Sequence, residues 1–85
     1  MNEDAGGGGP RRHYHLPERD DPDYDRAAAR VLLEAARAGE TASAEDATGY
    51  RWGEPRLARH VRALLAEAER EGDDRLEQLA RRFLR

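Results

Sequence analysis

From Tyr24 onward, apolar residues recur three and four positions apart, the spacing of helices with one buried face, and no stretch alternates with the period of a strand. The first such run predicts a helix from Pro22 to about Ala38. Asp21 suits its cap, and Pro22 suits the first helical position because its missing N–H has no partner there anyway. Asp23 and Asp25 complement the positive end of the helix dipole. Gly39 follows, free to take the left-handed conformation that ends many helices. Tyr24, Ala28, Val31, Ala35 and Ala38 share one face, mostly alanine, so another helix can approach it closely. Leu33 points away from that face and is expected to be exposed, where it could meet a partner.

Pro55 with Glu54 beside it predicts a second helix that runs to Glu71, with Leu57, Val61, Leu64, Leu65 and Ala68 as its apolar stripe. Gly72 stops it. Asp74 is the expected cap of a third helix, with Glu77 completing an Asp-x-x-Glu box. Leu76, Leu79, Ala80, Phe83 and Leu84 form its inner face. The break at Gly72 is short, so these two helices are expected to form an antiparallel or steeply crossing pair.

The first and second helices are joined by ETASAEDATGYRWG, residues 40–53. Ser43 with Asp46 three residues on resembles a weak capping box, which allows one extra helical turn at 43–48. Tyr50 and Trp52 alternate with small or polar residues and are expected to pack over the core. The expected fold is therefore all-α: a small three-helix domain over residues 21–85, preceded by a tail over residues 1–20. That tail contains Gly6 to Gly9, Pro10 and Pro17 and few apolar groups to offset the entropy of ordering, so it is expected to be disordered.

Charge sharpens the division. Residues 1–25 hold seven acids against three arginines, a net of −4, and residues 26–85 hold eleven acids against twelve arginines, a net of +1. The acidity belongs to the N-terminal part, and the helical part is nearly neutral, unlike a strongly basic nucleic-acid binder. All 15 basic residues are arginine, whose planar fork suits carboxylates and phosphates. There is no cysteine, which excludes disulfides and thiolate metal sites. No run of apolar residues is long enough to span a membrane, and the N-terminus lacks a signal-peptide pattern, so a cytoplasmic location is expected.

Little in the chain suggests chemistry. His13 and His15 flank Tyr14, yet nothing beside them would hold a metal geometry, and two solvated histidines are the simpler reading. His60 sits at the edge of the second helix's stripe without a positioned acid or nucleophile. The glycine run neither follows a strand nor opens a helix, so it is not a phosphate loop. No catalytic residue, cofactor, metal or small-molecule substrate is inferred, and the protein is expected not to be an enzyme.

The outer face of the second helix carries Arg56, Arg59, Arg62 and Arg70 opposite Leu57, Val61 and Leu64, with Arg51 just before the helix. Glu67 and Glu69 fall near these arginines. The expected function is regulatory or adaptor binding of another protein, or of a second copy, through helical surface. The candidate partner-binding residues are Tyr50, Arg51, Trp52, Arg56, Arg59 and Arg62, since tryptophan, tyrosine and arginine are enriched where interface energy concentrates. The alternative is a small DNA-binding regulator of helix-turn-helix type. In that reading 43–48 is the first helix, Gly49 makes the turn, and residues 54–71 form the recognition helix.

Overall fold

The computed structural model describes residues 14–85, which form four helices and no strand. They are α1 (Tyr24–Arg37), α2 (Thr41–Thr48), α3 (Ala58–Glu71), entered through a single 3₁₀ turn (Pro55–Leu57), and α4 (Asp74–Phe83). The extra turn allowed at 43–48 is thus a two-turn helix. Of the stretch expected to be disordered, residues 1–13 lie outside the described residues. Residues 14–20 are described. Tyr14 is half-buried against the core, and its hydroxyl lies 3.2 Å from the Ser43 hydroxyl.

α1 is the central element and packs against α2, the 3₁₀ turn, α3 and α4. The Asp21 carboxylate accepts the Asp23 N–H at 2.8 Å, the bond expected of a cap, but the regular helix begins only at Tyr24. At its other end Gly39 takes φ 73°, and the Glu40 N–H reaches back to the Ala35 carbonyl. This left-handed residue closes the helix as the sequence predicts.

The inner surface of α1 differs from the predicted face. Tyr24, Ala28 and Ala35 are buried as expected, Val31 is half-buried, and Ala38 is exposed. Leu33, expected at the surface, is fully buried together with Leu32 and Ala29. The cause is the number of neighbours. A helix contacted by several others is buried over a wide arc, and a narrow stripe read from spacing describes only part of it.

α2 begins at Thr41, so Ser43 lies inside the first turn and makes no capping bond; its hydroxyl instead meets Tyr14. The helix ends on buried Thr48. That hydroxyl donates to the Ala44 carbonyl at 2.9 Å and accepts the Tyr50 N–H at 3.1 Å, while the Thr48 carbonyl accepts the Tyr24 hydroxyl at 2.9 Å. A buried polar residue left unsatisfied would be costly, and these bonds remove that cost while tying α2 to α1 and to the following loop.

α3 and α4 pack on each other across the two-residue link Gly72–Asp73. Leu57, Val61, Leu64 and Ala68 are buried as predicted, and Leu65 is half-buried at the stripe's edge. Leu76, Leu79, Ala80 and Phe83 of α4 face them. The cap of α4 is Asp73, not Asp74: its carboxylate accepts the Leu76 N–H at 3.1 Å. The expected Asp74–Glu77 box does not form because the helix starts one residue earlier in register. The second oxygen of Asp73 accepts Arg37 at 2.9 Å, which fastens the α3–α4 link to the end of α1.

These bonds hold the Asp73 carboxyl below the usual carboxylate range, the capping bond from Leu76 first and the Arg37 bond second. The unfolded chain therefore takes up the proton before the folded one. Asp73 stabilises the fold above its ordinary value of 3.8, and this contribution is lost as pH falls through the lower folded value. Asp73→Ala is expected to lower the melting temperature at neutral pH, and Asp73→Asn, which keeps an oxygen for the cap, to lower it less. Melts across pH 2–7 check this: on the acid side the Asn gap should close and the Ala gap should narrow to what the neutral capping oxygen contributes.

Candidate partner-binding surface

The loop between α2 and the 3₁₀ turn is built inward. Gly49, at φ 82°, ends α2 and turns the chain. The Tyr50 hydroxyl donates to Asp25 at 2.5 Å, and its ring leans on Tyr24 at 6.4 Å between centroids. The bond to the Asp25 carboxylate holds the Tyr50 hydroxyl above its ordinary pKa, against the opposing effect of Arg56. Arg56 lies near the same hydroxyl, and its guanidinium is held above its ordinary pKa by Tyr50 first and Asp25 next. The Trp52 N–H donates to the Glu45 carboxylate at 2.8 Å. The Trp52 ring meets Phe83 edge-on at 4.9 Å, so the tryptophan covers the end of α4.

The six candidate residues therefore divide into two groups. Tyr50 and Arg56 are brought together around Asp25, and Trp52 is half-buried on Phe83. Arg51 is exposed on the loop, and Arg59 and Arg62 are exposed on α3. Both aromatic side chains thus have contacts inside the domain, whereas the side chains of Arg51, Arg59 and Arg62 have no hydrogen-bond or ion-pair partner among the described residues.

The solvent side of α3 is the more informative region. At 3.6 residues per turn, Arg59, Arg62, Ala63, Ala66 and Arg70 surround the line opposite Val61, Leu64 and Ala68. All five are exposed. Glu67 and Glu69, which spacing places near these arginines, lie on the two flanks instead. Arg30 of α1 donates to Glu67 at 3.0 Å, and Arg81 of α4 donates to Glu69 at 2.8 Å. Arg81 also reaches Glu77 at 2.7 Å and is held above its ordinary pKa, mainly by that bond. Glu67 and Glu69 are thus engaged by the neighbouring helices, Glu71 at the end of α3 is exposed without an ion-pair partner among the described residues, and Arg70, like Arg59 and Arg62, has none either.

Arg70 belongs with Arg59 and Arg62 in this row. Its spacing indicated as much, but which acids would neutralise the row depended on where Arg30 and Arg81 arrive. The helix-turn-helix pairing does not form: α2 and α3 make no close backbone approach to each other, and the whole of 49–57 separates them. Among the described residues, no group of three or more histidine, aspartate or glutamate side chains could hold a metal. No helix among them is long and apolar enough to cross a membrane. His13 lies outside the described residues, and His15 is exposed.

The fold defines the class to which this chain can be assigned, a small all-helical domain. No protein-family model matches the chain, and neither a curated protein nor a solved structure matches it.

Proposed function

We propose that this is a non-enzymatic regulatory or adaptor protein that binds another protein through the solvent face of α3. One observation carries the reading: Arg59, Arg62 and Arg70 stand exposed along α3 with no carboxylate partner among the described residues, while Glu67 and Glu69 are taken by Arg30 and Arg81. Fixed charge left uncompensated on a domain of nearly balanced charge favours an acidic partner and repels a basic one. Tyr50, Trp52 and Arg56 set the loop at the start of this helix, and Arg51 extends the charged surface beyond it.

A DNA-binding role is the second reading, since an exposed arginine row also suits phosphates. The composition of α2 weighs against its helix-turn-helix form. The element that would cross the DNA backbone carries Glu45 and Asp46 and no arginine.

The test is affinity capture from the source cell with nuclease treatment, using wild type and the Arg59/Arg62/Arg70→Glu variant. A partner retained after nuclease and lost with the variant is the expected outcome. Material lost on nuclease treatment, together with random-duplex affinity that falls steeply with salt, would move the assignment to DNA. Trp52→Ala, checked by circular dichroism, is expected to melt earlier than wild type and, while folded, to retain the partner.

A further inference from the structure

Resting on the reading of α3 as the binding face, we infer that its partner presents an acidic helix, laid along α3 with its carboxylates on the side that faces Arg59, Arg62 and Arg70. The face has the dimensions and charge of a helix contact. Arg59 and Arg70 are eleven residues apart, a rise of about 16 Å, or three turns. A partner helix carrying glutamate or aspartate at positions three, four, seven and eleven apart offers a carboxylate to each guanidinium. Between the arginines the exposed side chains are Ala63 and Ala66, which add no bulk and allow axes to approach to the 8–10 Å of packed helices. An arginine–carboxylate contact in this setting is charge-assisted and can be bidentate, which fixes register as well as sign.

The same geometry fits duplex DNA less well. A helix in the major groove is flanked on both sides by phosphate backbones. The flanks of α3 carry Glu67 and Glu69, each already bonded to an arginine, so they add no free cation where phosphates would lie.

The experiment uses the full chain and two synthetic alanine-based peptides of equal composition, each about eighteen residues and so long enough to hold a helix. One carries its glutamates along a single helical face, and the other distributes them around the helix. Fluorescence anisotropy with labelled peptides gives affinities at low and moderate salt, and a labelled random duplex is titrated in parallel. The one-face peptide is expected to bind at least about tenfold more tightly than the distributed one. Arg59/Arg62/Arg70→Gln should reduce that affinity by about tenfold or more. Arg75/Arg82/Arg85→Gln removes the same charge at and just beyond α4, away from this face, and should change it by less than about twofold.

Equal affinity for the two peptides, equal losses in the two variants, no peptide binding, or tighter binding of the duplex would each overturn the inference. The outcome is separable from the broader reading. If a captured cellular partner needs the α3 arginines but the one-face peptide does not bind, protein binding through this face stands and the acidic-helix chemistry falls.

Discussion

Replacing Leu64 by aspartate is expected to unfold the domain. Leu64 is 6% exposed and lies in the stripe that α3 buries with Val61 and Ala68. Two costs combine. Truncating a buried leucine forfeits about 2–5 kcal/mol through lost transfer energy and the cavity left behind. The new carboxylate must then either be buried without a partner or take a proton, at a further cost of several kcal/mol. A domain of this size has a total stability of about 4–10 kcal/mol at the usual value per residue. Loss of the helical circular-dichroism signal at 25 °C is therefore the expected result. Arg59→Ala, on the opposite side of the same helix, should change stability by no more than about 0.5 kcal/mol, as most surface substitutions do. Two variants that both melted like wild type would show that the inner and outer faces of α3 had been exchanged.

Leu33→Ala carries the second large expected effect, a loss of about 2–5 kcal/mol read from the midpoint of urea unfolding. Leu33 is fully buried on a flank of α1 that helical spacing alone assigns to solvent. The comparison that isolates the point is Ala38→Ser. Ala38 is the last position of the predicted inner face but is exposed, so this substitution should change stability by less than about 0.5 kcal/mol. A tolerant Leu33 and a sensitive Ala38 would return α1 to the orientation its spacing suggests. The slope of the unfolding curve should be the same in both variants, because neither alters the surface exposed on unfolding by much.

The two stability tests and the binding tests probe opposite sides of one element. On α3 the buried stripe holds the helix in place, and the arginine row is what that placement presents to solvent. Arg59 and Arg62 can therefore be changed without disturbing the core, and a loss of binding in a folded variant can be assigned to the surface itself. Trp52 lacks that separation, because its ring packs edge-on against the buried Phe83.

The sequence by itself determined the helical class, the stops at Gly39 and Gly72, and the buried stripes of α3 and α4. Those two helices bury a single narrow face each, so the 3.6-residue period reports the face directly. The left-handed stops are legible because they depend on one residue type rather than on any neighbour. Other features were decided only by the tertiary structure. α1 packs against every other helix, so its buried arc widens to include Leu33, which no spacing along α1 could reveal. α2 has few apolar residues to make a pattern. It is fixed by Thr48, Tyr24 and Tyr50, whose bonds join residues distant in sequence. The arginine row follows the same rule. Sequence placed Arg59, Arg62 and Arg70 on one side of a helix, but Arg30 from α1 and Arg81 from α4 engage Glu67 and Glu69. Those contacts span 37 and 12 residues, and the charge left on α3 is set by where the chain returns.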